Sequence, residues 1–475
     1  MTQPAAGSLS SFERWGWLVV GGLLMLAFVT GGGASDHGIG DALTQLLALP
    51  LLVWAALALY GSGGSRLQWS AVGVAALVVL TVALQLLALP EAWSSGPAAR
   101  LALSADLQAA GVTEPRQRWS LSPMATEMGL WSMLPALAVF VGALAMPPER
   151  QPRLLLLVVA LATTSLVLGY LQLGAPQDSL LNPFPQWAPS LNGFFANPNH
   201  QATSLGIALV AIAALLLNDL GRAEPLLPRW IRFGLGGLGV LLFASLLLTG
   251  SRAMFLLAVL GLVAVPLLLR SGRRREGWLA ARFWIVRLVL AAVAVSVVVA
   301  AIGWLRFDLV EEVRATVAKV TVAMGAAHAP WGAGVGSFVP WFDQSAPAPL
   351  VQSEYFNHAH NEYAQWWLES GVLGVLSALA VLALLAASYP LRAGRAGDRG
   401  VAVAAWLGCV LVLLHSLVDY PLRAPALMSV AALLAGIAIA QRAQGRPQQK
   451  GRADGRPYNA RLPGEHHAVT TTELP

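Results

Sequence analysis

Apolar runs of near-spanning length recur along most of the chain, broken by short polar connections. They lie at about 16–33, 42–60, 69–89, 128–146, 154–173, 201–217, 233–249, 253–269, 283–303, 371–389, 400–417 and 424–441. A hydrocarbon layer about 30 Å thick needs roughly 20 apolar residues in helical form, so each run is a candidate transmembrane helix. Helices are expected because they satisfy their own backbone where no water is present. The pattern predicts an all-α integral membrane protein with about twelve spans. The first run sits where a signal peptide would, but it is long and lacks a clear cleavage box, so it is read as a span.

Composition agrees. Of 475 residues, 56% are apolar and 11% charged, with a mean hydropathy of +0.63. A soluble protein of this size could not hide that much apolar surface. The lone cysteine, Cys409, lies inside an apolar run, which leaves no disulfide or thiolate metal site to consider. The net charge of +6 is informative by position. Arginines concentrate in the connections holding Arg66, Arg150 and Arg153, Arg222 to Arg232, Arg270 to Arg282, and Arg392 to Arg399. Placing these in the cytoplasm by the positive-inside rule puts both termini inside. The long connections 90–127, 174–200 and 304–370, with short turns near 250 and 420, then share the outer side. The expected organisation is a membrane domain over 1–441, with an outer loop at about 304–370. A Pro/Gly/Arg-rich cytoplasmic tail over 442–475 is expected to be disordered. Membrane lipids are the implied surroundings, and nothing points to nucleic acid.

The chemistry-bearing residues fall on that outer side. In "HAHNEYAQWWLESG", Asn361 suits a helix N-cap, and Asn361, Gln365 and Glu369 share one stripe at 100° per residue. His360 stands at the helix opening, where an imidazole can take a proton from an attacking hydroxyl. Glu362 and Glu369 would cost roughly 2.5–3.5 kcal/mol each at mid-bilayer, so this segment is placed at the outer surface. His358, His360 and Glu362 as metal ligands would need an extended segment, and no metal site is expected. Arg252 in "TGSR" opens a helix against its dipole, which suits an anionic partner better than stability. Arg314 adds a cation outside, and Arg423 follows Asp419 in "HSLVDYPLRAP". Gly332, Gly334 and Gly336 in "PWGAGVGSF" suggest backbone folded close to a sugar or phosphate. Asn197, Asn199 and His200 stand at the mouth of a span.

Together these segments resemble the O-antigen ligase and O-antigen polymerase family of membrane glycosyltransferases. The strongest match runs from His360 and Asn361 through Gln365 and Glu369 to Gly371 and Gly374. It is similar to the family's His-Asn-x-x-x-Gln-x-x-x-Glu-x-Gly signature. "NPNHQA", "TGSRA", Arg314 followed by "PWGAGVGSF", and "HSLVDYPL" support it in the same order, so the resemblance covers roughly 190–430. The tryptophan common after the second arginine is missing, as is the large soluble domain of some protein-directed relatives.

The resemblance implies a GT-C-like enzyme of the bacterial inner membrane, active on its periplasmic face. Such an enzyme moves a glycan from a polyprenyl-diphosphate carrier to a glycan, lipid or protein acceptor, without metal or other cofactor. His360 and Glu369 are then the candidate catalytic residues. Arg252, Arg314 and Arg423 are candidates for the donor diphosphate. Asn361, Gln365, Asn199, His200, Gly334 and Gly336 are candidates for support. A twelve-span transporter or lipid-linked glycan flippase is the alternative. Transport predicts ionisable residues near mid-membrane in symmetric halves, whereas most charges here sit at the span edges.

Overall fold

A computed structural model describes residues 6–33, 38–90, 93, 97–112, 118–185, 190–222, 224–269, 295, 309–347, 350, 356–390 and 398–444. The architecture is all-helical, with an isolated bridge between Ala88 and Arg118. The helices are α1 (Ala6–Thr30), α2 (Ile39–Gly61), α3 (Arg66–Ala83), α4 (Ala98–Ala109), α5 (Pro123–Ala145), α6 (Gln151–Leu173) and α7 (Pro198–Leu220). They continue with α8 (Arg229–Leu248), α9 (Arg252–Leu269), α10 (Leu309–Ala327), α11 (Phe338–Ser345), α12 (Glu362–Ala387), α13 (Arg399–His415) and α14 (Pro425–Gln444).

Among the described residues, 10 helices are long and apolar enough to cross a membrane, and α13 is a shorter apolar helix. This is a polytopic membrane protein. Eleven of the twelve runs read from hydropathy coincide with these helices, and the run 283–303 lies outside the described residues. So do Arg306 and the tail from 445 onward, while α14 carries helix slightly past the expected boundary at 441.

The most enclosed helices are α7 and α14, each span 67% buried, whereas α3 and α12 are 17% and 22% buried and present apolar side chains outward. That is the pattern expected where lipid, rather than protein, covers the outer helices. α14 packs on α5, and α13 and α9 pack on α7. The connection 304–357 holds two helices, α10 and α11. Val317, Met324, Phe338, Phe342 and Leu368 form a second small core there, separate from the bundle core.

α12 is two helices joined at a break. Gly371 sits inside it at φ +55 and ψ −143, a conformation that side chains rarely adopt. Several of the freed backbone groups are met by other parts of the chain. Ala333 and Gly334 donate to the carbonyls of Leu368 and Glu369 at 2.8 and 2.9 Å, and Val372 donates to the Pro330 carbonyl at 2.9 Å. On the far side of the break, the Trp366 indole donates to the Gly374 carbonyl at 2.9 Å. A break with its groups satisfied by protein is the kind a membrane helix tolerates. It separates a stub, 362–370, from the apolar span beyond, at the residue where the hydropathy pattern begins its run.

Candidate active site

The stub is capped as its sequence suggests. Asn361 is the N-cap, its side-chain oxygen accepting from Ala364 N–H at 3.0 Å. Its amide donates to the Leu417 carbonyl at 2.9 Å, and Glu362 N–H donates to the Ser416 carbonyl at 2.9 Å. The turn after α13 is thereby tied to the start of α12. His360, just before the cap, is a non-glycine residue of positive φ, at +51. Strain of that kind persists where surrounding contacts impose it, and it often marks function.

What the turn delivers is a carboxylate. Asp419 is buried, with Oδ1 3.7 Å from His360 Nδ1 and 3.9 Å from His200 Nε2. Asn197 Nδ2 and Tyr420 N–H approach the same oxygen at 3.4 and 2.8 Å. The Tyr420 ring lies among three imidazoles, with centroids 5.0, 4.3 and 5.0 Å from His200, His358 and His360. Burial alone would raise the Asp419 carboxyl, but His360, His200 and His415 outweigh it and hold Asp419 well below the usual carboxylate range. Burial, and then the Asp419 charge, push the Tyr420 phenol above its ordinary value. An anion beside Nδ1 orients an imidazole so that the other ring nitrogen is left to act as a base.

Two cations bear on this cluster differently. Arg314 on α10 is half-buried and acts electrostatically on both His415 and Tyr420. Arg252 is exposed at the first residue of α9. Met254 lies against Gly206 of α7 and Gly261 against Val210, so α9 and α7 run the same way; Gly408 lies against Ile207 and Gly400 against Asn218, so α13 runs opposite and ends where they begin. Arg252, His200 at the start of α7 and His415 at the end of α13 therefore occupy one end of the bundle, where Thr203 and His415 also meet at 2.8 Å.

Arg423, a candidate for the diphosphate, is engaged by protein carboxylates. Its Nε donates to Glu362 Oε2 at 3.0 Å and its Nη1 to Glu369 Oε2 at 2.7 Å. Burial would lower the guanidinium, but Glu369 and Glu362 more than reverse that. Its Nε and one of its terminal nitrogens are thereby taken by protein carboxylates. The same contacts revise the surface placement of Glu362 and Glu369, which are 8% and 0% exposed and held by Arg423 instead of water. Glu369 also accepts from Gln365 Nε2 at 3.0 Å, so it is enclosed in a network.

The glycine loop folds against protein. Side chains at Gly332 and Gly334, with φ +79 and +103, would strike the backbone at Glu369 to Gly371 and the Ser120 side chain. Gly336 rests on Ala125. The loop is braced by residues the sequence reading passed over. Gln85 donates to the Glu369 carbonyl at 3.3 Å and accepts from Val335 N–H at 2.8 Å. Arg100, fully buried, donates to the carbonyls of Arg118, Trp119 and Gly332, and burial lowers it to about 10. An arginine in a short, mostly apolar helix was the one available signal for it. Asn199 contributes its backbone N–H to the Asn197 side chain at 2.9 Å, so Asn197, the cap of α7, is the asparagine that reaches Asp419.

A model of the O-antigen ligase family matches residues 237–379. This segment is similar to an O-antigen ligase domain. The match supports the O-antigen ligase/polymerase family, which indicates a membrane glycosyltransferase of ligase or polymerase type. It spans Arg252, Arg314, the glycine loop, His360 and Glu369, whereas His200, Asp419, Tyr420 and Arg423 reach the ligase domain from outside it. No curated protein matches the chain significantly.

Proposed function

We propose that the protein transfers a glycan from a polyprenyl-diphosphate carrier to an acceptor hydroxyl, on the outer face of the bacterial inner membrane. The acceptor oxygen attacks the anomeric carbon, the bond from that carbon to the diphosphate oxygen breaks, and the hydroxyl proton passes to His360. The diphosphate leaves with the electron pair of the broken bond. A diphosphate is already an activated leaving group, so the protein has to supply alignment, charge neutralisation and a base. Arg314 and Arg252 serve the charge, His360 serves as base, and Asp419 orients it. No metal is invoked, because the guanidinium groups take its place at the departing oxygens.

The observation that carries this reading is His360, strained and within 3.7 Å of a buried Asp419 carboxylate, at the end of the bundle where Arg314 acts. A defined lipid-linked oligosaccharide and acceptor, with purified protein, test it. His360→Ala should lower turnover by roughly 10²–10⁴-fold, the usual contribution of a general base. Wild-type turnover by that variant would remove the reading. Deleting the gene separates the acceptor classes. Long polymer left on its carrier indicates a ligase, single repeat units indicate a polymerase, and unchanged glycans with altered solute uptake indicate a transporter.

A further inference from the structure

Tyr420 stands among the imidazoles of the site, outside the matched segment 237–379. Its ring packs edge-on against His200 and His360, at 84° and 70°, and is tilted at 41° against His358. Its backbone N–H donates to Asp419 Oδ1 at 2.8 Å. These contacts fix the ring and leave the hydroxyl unaccounted for.

The hydrogen-bond network decides what that hydroxyl can offer. Asn199 N–H can only donate, so the Asn197 atom 2.9 Å from it is the carbonyl oxygen, and the other terminus of that side chain is the amide nitrogen. The amide lies 3.4 Å from Asp419 Oδ1 and is also the hydrogen-bonding neighbour of the Tyr420 phenol. An amide N–H can only donate, so the phenol oxygen accepts from Asn197 and its own proton is left for another acceptor. No acceptor among the described residues takes it. Tyr420 keeps accessible surface, and its oxygen is not sealed in the way that His358 Nε2 and His360 Nδ1 are, so the donor is open to a ligand.

Neighbouring charge decides which acceptor suits it. Arg314 acts electrostatically on Tyr420 and makes no ion pair with a described carboxylate, whereas Arg423 makes two. Asp419 is 1% exposed, so its charge is not presented to a ligand. Burial and the Asp419 charge hold the phenol above its ordinary value, which keeps it protonated and able to donate. A neutral donor beside an unpaired guanidinium is an arrangement that stabilises charge developing on a departing oxygen.

We propose that Tyr420 is a further catalytic residue, whose hydroxyl donates a hydrogen bond to a diphosphate oxygen of the lipid-linked donor as the glycosyl bond breaks. The contact rests on the transfer reading. The phenol keeps its proton throughout, the diphosphate leaves with the electron pair, and His360 takes the proton of the acceptor.

Tyr420→Phe tests this, because it keeps the ring among the imidazoles and removes the oxygen alone. Full-length protein in phosphatidylcholine nanodiscs is titrated with farnesyl diphosphate and with farnesol, which lacks the anion. Tyr420→Phe should weaken farnesyl diphosphate about tenfold, the scale of one hydrogen bond to a charged group, and leave farnesol unchanged. In the transfer assay kcat should fall roughly a hundredfold, with acceptor KM held. A 3-fluorotyrosine placed at position 420 keeps both hydroxyl and ring. Its fluorine resonance should shift on adding farnesyl diphosphate and stay still on adding farnesol, and this signal decides the matter if Tyr420→Phe fails to fold. Unchanged farnesyl diphosphate affinity in Tyr420→Phe, an equal loss for farnesol, a raised acceptor KM at wild-type kcat, or a fluorine resonance blind to the diphosphate would overturn the assignment. Diphosphate binding is read without transfer. Wild-type turnover by His360→Ala therefore leaves the Tyr420 contact standing, and a negative result at Tyr420 leaves the His360 base standing.

Discussion

Asp419 and Arg423 share one short turn, yet they meet different partners: Asp419 meets His360 and His200, whereas Arg423 meets Glu362 and Glu369 on the α12 stub. Asp419 is an anion among imidazoles, with Oδ2 left without a hydrogen-bond partner. Arg423 is a cation whose Nε and Nη1 are taken by two carboxylates. The first face is under-satisfied and next to Arg314, which suits chemistry on an anionic donor. The second is closed internally and suits positioning. Residue type alone does not assign the role. Arg423 and Arg314 carry the same charge, and what distinguishes them is how many carboxylates each already holds.

That contrast can be broken by exchanging the arginines for neutral residues. Arg423→Met strands Glu362 and Glu369 in a buried setting, and removing one partner of such a set costs about 3–5 kcal/mol. Loss of folded protein in detergent, followed by thermal unfolding, is the expected result. Adding Glu362→Gln and Glu369→Gln should recover a large part of it. Arg314→Ala should do the reverse, leaving the melting temperature near wild type while lowering turnover roughly a hundredfold, or about 3 kcal/mol of transition-state stabilisation. If Arg423→Met left stability intact, or Arg314→Ala destroyed it, the division between the two faces would be wrong.

A third exchange sharpens the geometry that keeps the faces apart. Gly371→Ala puts a side chain at φ +55 against the Pro330 carbonyl, at the break where the glycine loop docks. The expected cost is of order 1–3 kcal/mol. Part of it should appear as lower turnover, because the stub carries His360 and Glu362 toward different partners. Hydrogen exchange over 362–370 would report the loosening directly.

The layout of spans was legible because lipid imposes one simple rule, a length of apolar chain. Even the break at Gly371 coincides with the start of the run read from hydropathy at 371–389. The chemical residues were legible as a set for a related reason, since charged and imidazole groups stand out against an apolar background. Their pairings were not legible. Whether Arg423 meets a phosphate or Glu369 depends on a contact across 54 residues of sequence, between a turn and a helix face. Gln85 meets the Glu369 carbonyl across 284 residues, from a span that reads as generic. The glycine loop misled for the opposite reason. Close backbone approach was correctly read from the three glycines, but the partner approached was the broken helix of the same chain.

The smallest expected effect concerns His358, and it follows from the sign of its shift. Burial holds the folded-state pKa well below the ordinary imidazole value of about 6.5, so between that lowered value and 6.5 the unfolded chain binds a proton that the folded chain refuses. Stability contributed by this ring should therefore be fully present above about pH 6.5 and decline as pH falls through that window, by up to about 1.4 kcal/mol per pH unit. Asp419 shifts in the other chemical class. Its depressed carboxyl stabilises the fold throughout that range and loses its contribution only at far lower pH, as the folded-state value is approached. A pH series of denaturant or thermal unfolding from 7.5 to 5 reads this window, to which the other buried imidazoles, His200, His328 and His415, contribute besides His358. His358→Gln, which cannot titrate, should lower the slope without abolishing it. A slope that His358→Gln leaves at its wild-type value would mean that the imidazole is already charged in the folded protein, and Nδ1 would then not accept from the Gln365 amide.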